Sequence, residues 1–435
     1  MKTSAYLKVS FFILSLAVVI PVGATKLRLD SMVVHGPDTN DSTGIIGIDS
    51  KFEFEYNSFG QLIHQSMSST NTDRNVLEPK ESVVFVYDSK GRMSSDSSFS
   101  WNTDKKQWVL GSYNEYVYDS KGKILEQVEA VVHFTTVFSR TTYTYDEAGN
   151  KLNQTHCLLD DENQWINDDK TDYSYNNTGL LASTTNYYWE TFDNSWMFYS
   201  KTEPNYDDNG RDTLTRSYQW NASLNKWMDV GKMENTYDAT GRNTKKVVWE
   251  LVHGTLPLIK DSKVEYLFDS KGNLLREDNY SWEEDSLRWL GGMSTNYEYD
   301  STIGIEEIIS PFQLDDFPMY SKLTRGAISY WIDVLQNWYP LANFSFYYSS
   351  MEVMSQPKAE FTKPSWSFNS KNNLLSLDAT KSPSTLYLFN LQGQKVLSLR
   401  RLNDSNISLQ KLKKGLYLLD LESNGVWERG KLVVE

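Results

Sequence analysis

The sequence predicts an all-β protein: an elongated antiparallel array of β-hairpin repeats, as a meander or superhelix, followed by a small immunoglobulin-like β-sandwich. Three observations predict it. The glycine that closes the motif Tyr-Asp-x-x-Gly, or a close variant of it, returns at Gly60, Gly91, Gly122, Gly149, Gly179, Gly210, Gly241, Gly272 and Gly304, at intervals of 31, 31, 27, 30, 31, 31, 31 and 32 residues. Between glycines, apolar and aromatic residues recur at even offsets, which share one face of an extended strand. Towards the C-terminus this rhythm gives way to short alternating strands broken by Asn, Gly and Pro.

Residues 1–24 read as a secretory signal peptide: Lys2 and Lys8 precede an apolar run at 11–22, and Val22-Gly23-Ala24 supplies small residues for cleavage. No cysteine follows that run, so an N-terminal lipid anchor is not expected. No later stretch approaches the roughly 20 apolar residues that span a bilayer, so no membrane-spanning segment is expected. Residues 25–50, with the turn signal Gly36-Pro37-Asp38, read as a lead-in. The array, residues 51–353, opens on the strict alternation Lys51-Phe52-Glu53-Phe54-Glu55-Tyr56.

Each unit is laid out from its glycine. Two residues on stand Leu62, Met93, Ile124, Leu181 and Leu274; eight on stand Phe99, Tyr187, Tyr218, Trp249 and Tyr280; ten on stand Trp101, Trp189, Trp220 and Trp282. A second tryptophan follows seven residues later, at Trp108, Trp196, Trp227 and Trp289, across a run of turn formers. The tyrosine of the next motif comes ten residues after that, as in Trp196 to Tyr206 and Trp227 to Tyr237. A unit is therefore two strands, each about 30 Å long at about 3.3 Å per residue, joined by alternating turns. In the Asp-x-x-Gly turn, Asp can bond a backbone N–H two residues on, and Gly accepts a left-handed conformation. The two tryptophans can face each other across the hairpin.

Strand centres are polar, as in Ser94-Ser95-Asp96-Ser97-Ser98, which argues against a thick sandwich and for a narrow sheet; a propeller with two units per blade is the alternative. Some units depart from the pattern. Ala130 and Val132 stand where aromatics are expected, Cys157 occupies the aromatic column, and the rhythm blurs after Gly304 before Trp331 and Trp338 restore it. A degenerate last hairpin at about 323–353 is expected to cap the array.

The Tyr-Asp-x-x-Gly core resembles the YD repeats of the Rhs and teneurin families over roughly residues 51–304, which implies hairpins in spiralling β-sheets. The unit here is longer, Trp-x6-Trp is a departure, and the toxin domain enclosed by Rhs shells is lacking, so a toxin-delivery role is not carried over. Residues 354–363 read as a linker. Residues 364–435 hold an Asn-Leu-Gln-Gly-Gln-Lys-Val block with Gly393 and Lys395, a Gly-Leu-Tyr block with Gly415 and Tyr417, and a terminal Lys-Leu-Val with Lys431. In this order they resemble the type A C-terminal sorting domain of the type IX secretion system of Bacteroidota, although Pro364-Ser365-Trp366 stands where that family has an Asn-Pro pair. The resemblance implies the type IX secretion machinery as a partner and passage through the outer membrane. It also implies that the domain is removed, with the body attached to the cell surface or released.

Composition excludes some functions. A formal charge of -14 argues against nucleic acid or anionic lipid as the main partner. The single cysteine, Cys157, excludes an intramolecular disulfide framework. His35, His64, His133, His156 and His253 show no metal-ligand spacing, and no nucleophile elbow, phosphate loop or dinucleotide fingerprint is present. Asp207-Asp208-Asn209-Gly210 lacks the glutamate of a calcium loop, and Glu283-Glu284 sits in a turn without a predicted cleft. No catalytic residue, metal or cofactor is expected. The candidates for ligand contact are Trp101, Trp108, Trp189, Trp196, Trp220, Trp227, Trp282 and Trp289, because indole rings in a periodic row can stack on sugars. The same rings can equally pack hairpins together. The sequence thus predicts a non-enzymatic surface scaffold for adhesion, with carbohydrate binding as the alternative and a polysaccharide-acting enzyme as a third reading.

Overall fold

The computed structural model describes residues 25–36, 49–71, 76–132, 136–160, 162, 164–252, 255–311, 318–353, 366–370, 372–378, 383–390, 395–400, 406–423 and 426–434. The signal peptide, the linker, Gly393, His133 and His253 lie outside them. The described residues form β-strands and two short 3-10 turns, with no α-helix among them. The chain divides into two compact units, residues 1–85, 116–128 and 139–355 in one, and 86–115, 129–138 and 356–435 in the other.

In the first unit, strands that follow one another in sequence pair antiparallel, and the Asp-x-x-Gly turn sets their register. Asp207 shows how. Its Oδ1 accepts the backbone N–H of Asn209 at 2.9 Å and of Arg211 at 3.0 Å, while Gly210 N–H donates to the Asp207 carbonyl at 2.9 Å. These donors, with the Arg211 side chain foremost, hold the Asp207 carboxyl below the usual carboxylate range. The glycine takes φ +75° here, and seven more motif glycines lie between +77° and +97°. Gly304 has φ -76° and leads into the 3-10 turn Ile305–Glu307, so the last expected motif glycine makes no such turn.

At five motifs the tyrosine ties its hairpin to the one before it, whereas Phe268 takes its place in the motif at Gly272. The tyrosine hydroxyl donates to the backbone carbonyl two residues past the preceding glycine: Tyr145 to Ile124 at 2.8 Å, Tyr175 to Lys151 at 2.9 Å, Tyr206 to Leu181 at 2.9 Å, Tyr237 to Asp212 at 2.8 Å and Tyr299 to Leu274 at 2.9 Å. Tyr348 repeats the bond to Leu323 at 2.7 Å. The polar strand centres are satisfied in a similar way, by side-chain bonds along the ladders. Thr171 Oγ1 donates to Asn186 Oδ1 at 2.8 Å, and Asn186 Nδ2 donates to Ser200 Oγ at 2.9 Å.

The expected superhelix with a capped end is corrected by the strand Thr25–His35, which falls within the segment read as a lead-in. It pairs antiparallel with Ser50–Tyr56 on one edge and with Asn337–Glu352 on the other, and Leu27 and Arg28 also pair in parallel with Ile308 and Ile309. The hairpin Ser321–Ile332 with Asn337–Glu352 therefore does not end the array as a cap. It is joined through Thr25–His35 to the first hairpin, so neither presents a free edge there. Leu29, Met32, Phe52, Phe54 and Phe344 are buried around this junction. Periodicity could not announce it, because the partners are more than 300 residues apart in sequence.

In the second unit, Met93–Asn102 and Gln107–Tyr118 pair as a hairpin from Ser95 to Glu115. Its C-terminal part holds two small antiparallel sheets. One orders Trp366–Asn369, Leu374–Leu377 and Asn406–Ser408; the other orders Lys395–Arg400, Pro383–Asn390, Gly415–Ser423 and Val426–Val434. Both contribute to one core that includes Leu375, Leu386, Leu388, Leu409, Leu419 and Leu432. Two separate sheets around a leucine core are what the chain forms, and the immunoglobulin likeness stays an expectation of the sequence.

Deleting residues 25–35 uncovers one edge of Ser50–Tyr56 and one of Asn337–Glu352, so the truncated protein should self-associate with rising concentration in sedimentation velocity while the full chain does not. Tyr206→Phe removes one strap and leaves a carbonyl without its donor, and the urea-unfolding midpoint should fall by the equivalent of about 1 kcal/mol.

Candidate binding surface

The end of the hairpins opposite the Asp-x-x-Gly turns carries the tryptophans. They stand directly opposite one another in register: Trp101 with Trp108, Trp189 with Trp196, Trp220 with Trp227, Trp282 with Trp289, and Trp331 with Trp338. Each pair is edge-to-face, with centroids 4.9–5.3 Å apart and planes at 66–71°. A residue in the left-handed region two positions before the second tryptophan makes each turn: Lys106, Asn194, Asn225, Leu287 and Gln336, with φ of 47–51°. Where the first tryptophan is followed by asparagine, its side chain caps the turn, as in Asn102 Oδ1 with Lys105 N–H at 2.8 Å and Asn221 Oδ1 with Leu224 N–H at 2.9 Å.

The rings are neither core nor open platform. Trp108 is exposed, and the other seven sequence candidates are half-buried. Each indole shares a face or an edge with its partner, and a column of lysines covers more of the ring surface. Lys170, Lys201, Lys232 and Lys263 stand opposite Tyr187, Tyr218, Trp249 and Tyr280, with the ammonium 4.1, 4.9, 4.3 and 3.9 Å from the ring centroid. Each also pairs with the acid two residues on, Asp172, Glu203, Glu234 or Glu265, at 2.6–2.9 Å. Lys170, Lys201 and Lys263 further lie 5.3–5.7 Å from the centroids of Trp196, Trp227 and Trp289, and Lys260 lies 4.4 Å from that of Trp282. Burial, then the charges of Asp278 and Glu265, push the Tyr280 hydroxyl up to about 12.

Sequence reasoning missed this column. Its signal was present: Lys-Thr-Asp, Lys-Thr-Glu, Lys-Met-Glu and Lys-Val-Glu recur every 31 residues from Lys170.

It also missed the tips. The residues between paired tryptophans were read as plain turn formers, yet in the first unit each described tip of this kind projects a large apolar side chain. Phe192 is 94% exposed, Val334 93%, Leu287 73% and Leu224 57%. Two of these turns are bridged by Arg288, which reaches Asp333 at 2.7 Å and Glu283 at 3.0 Å, and both carboxyls are held below their ordinary values with Arg288 among the causes. The tips offer apolar contact and little chemistry. Glu283 ends the strand Leu274–Glu283, and Asp207 serves its own turn.

Of the sorting-motif residues, Lys395 opens a strand and pairs with Phe389, Gly415 pairs with Val434, and Lys431 pairs with Leu418. Tyr417 is buried, with its hydroxyl donating to the Lys413 carbonyl at 2.7 Å.

Residues 369–435 match the family of secretion system C-terminal sorting domains. This tail marks an exported protein. It implies interaction with the type IX secretion machinery and delivery to the cell surface or the extracellular space. No helix among the described residues is long and apolar enough to cross a membrane. No curated protein matches the chain. Among solved structures, a Bacteroides fragilis protein of unknown function is 16% identical, covering 29% of this chain and 91% of its own, with a TM-score of 0.26. A porin-like protein from Bacteroides uniformis is 11% identical, covering 74% of this chain and 98% of its own, at 0.25. The Photorhabdus luminescens Tc holotoxin pore is 11% identical over 93% of this chain and 23% of its own, at 0.24. At these scores none of the three carries an argument about fold or function. The likeness to YD repeats rests on the Tyr-Asp-x-x-Gly motif alone.

Tyr280 binds its proton more tightly in the folded chain than at its ordinary value of 10.0, and the hydroxyls of Tyr187 and Tyr218 shift the same way. The contribution of Tyr280 to stability is complete below pH 10 and is lost as pH rises from about 10 towards 12, and those of Tyr187 and Tyr218 are lost in the same direction. Thermal unfolding followed across that range should show a falling midpoint that Tyr280→Phe makes shallower. A double-mutant cycle on Trp220 and Trp227 should return a coupling of about 0.5–1.5 kcal/mol, read from chemical denaturation.

Proposed function

We propose that the protein is a non-enzymatic binding scaffold of the cell surface, exported through its sorting tail, that contacts a partner protein through the apolar tips of its tryptophan-flanked turns. The observation that carries this reading is the set of exposed side chains Phe192, Leu224, Leu287 and Val334, each in a turn between paired tryptophans of the first unit. Single exposed apolar residues are ordinary on a surface, whereas one in every described tryptophan-flanked turn of the first unit favours an interaction site. The tryptophan pairs beneath act as a rigid footing that holds the tips out. Adhesion to another cell's surface proteins fits a chain delivered outside the cell.

Carbohydrate binding is the second reading, favoured by the half-exposed indoles and by Trp108 in particular. The edge-to-face packing and the lysine column leave less free ring face than a sugar platform offers, which places this reading second. Deleting residues 364–435 should strand the body in the periplasm, and display of the truncated protein on the surface would contradict the export route.

Arrays of surface-protein extracts and of glycans separate the two readings. Replacing Phe192, Leu224, Leu287 and Val334 together by Ser should abolish protein binding with the fold intact by circular dichroism. Loss of glycan binding on Trp282→Ala with Trp289→Ala, with the tip variant unaffected, would instead support the sugar reading.

A further inference from the structure

One unit of the array departs from its neighbours in chemistry while keeping their backbone. Strands Lys151–Leu159 and Trp165–Tyr175 pair with a bulge between Asn167 and Asp169, so that Asp168 and Asp169 both face His156. The same irregularity recurs in the next hairpins, at Asn186 with Ser200, Ser217 with Gly231 and Val248 with Ser262. Those positions hold amide, hydroxyl, apolar or no side chain, and in the place of Asp168 stand Tyr199, Val230 and Asp261. The bulge is thus a property of the repeat, and the packing that maintains it needs no histidine and no pair of aspartates.

His156 Nδ1 lies 3.0 Å from Asp168 Oδ2 and 3.3 Å from Asp169 Oδ2, and the three ligand atoms all lie within 4.8 Å of one another. Among the described residues no other group of three such side chains converges, and neither carboxylate forms an ion pair with a lysine or arginine. Other acids of the array take a basic partner, as Asp172 takes Lys170 at 2.9 Å, or an amide donor, as Asp146 takes Asn150 at 2.9 Å. Two carboxylates against one imidazole leave this place short of positive charge. The histidine side chain is 24% exposed and the aspartates about half, so the site is partly sheltered yet open to solvent.

We propose that His156, Asp168 and Asp169 bind a divalent first-row transition-metal ion of the zinc type. One imidazole nitrogen and two carboxylate oxygens are borderline ligands that suit such an ion, whereas calcium asks for six to eight oxygens. Ligands about 2.0–2.2 Å from a shared ion stand roughly 3.0–3.5 Å apart, the separation His156 already keeps from both carboxylates. Three protein ligands leave a fourth position for water. Cys157 takes no part, since its Sγ is directed to Asn167 Oδ1 at 3.4 Å on the other face of the strand. Spacing along the chain could not reveal the group, because the histidine and the aspartates meet only through cross-strand register.

The test is calorimetric titration of the purified full chain with zinc chloride, repeated with cobalt(II) to read its visible absorption. One ion per chain is expected, with affinity reduced at least tenfold in His156→Asn and in the double variant Asp168→Asn with Asp169→Asn, and unchanged in His64→Asn, whose ring faces the single carboxylate of Glu55 at 3.2 Å. Should His156→Asn fail to fold by circular dichroism, the aspartate pair, which is half exposed, carries the test. Absence of binding by the unaltered chain, or binding undiminished in the folded variants, would overturn the proposal.

Discussion

The register of the array rests on one backbone conformation, glycine at positive φ closing an Asp-x-x-Gly turn. There the chain reverses tightly while the Asp side chain bonds the N–H groups two and four residues on. A fixed reversal sets where pairing begins, so that the ladder brings the motif tyrosine back to the preceding hairpin and the two tryptophans opposite each other at the far end, while a bulge in each hairpin shifts the parity between them. A side chain with a Cβ at that position would cost about 1–2 kcal/mol in left-handed strain and would tilt the balance towards other registers.

Much of this was legible because it is local and repeated. The turns, the cross-strand tryptophans and the antiparallel meander all follow from counting along the chain. What was not legible is what depends on distant register. Thr25–His35 finds Asn337–Glu352 across nearly the whole array, and its own alternation, Leu27, Leu29 and then Met32 beyond a bulge, is too short to announce two partners. The glycine at 304 belongs to the count but not to the turn, since the chain there is drawn into pairing with the strand from Ser321.

The candidate surface was legible at the level of its place and not of its parts. The sequence pointed to the tryptophan-flanked end, but it treated the indoles as the contact and the residues between them as punctuation. In three dimensions the rings are occupied by one another and by lysines, and the intervening Phe192, Leu224, Leu287 and Val334 reach solvent. Turn formers and exposed apolar residues cannot be told apart by composition, because one residue can be both, as Leu287 is the left-handed residue of its turn and 73% exposed. The lysine column could have been read from its 31-residue recurrence. Its function as a lid on the aromatic rings needed the register.

These features depend on hairpins whose sheet edges are already occupied at the junction with Thr25–His35. Amide hydrogen exchange across the strand Thr25–His35 tests that directly, because a strand bonded on both edges and a terminal lead-in differ by orders of magnitude in protection. The account predicts protection of its amides equal to that of the interior strand Asp212–Asn221. Exchange as fast as that of the turn tips would contradict it.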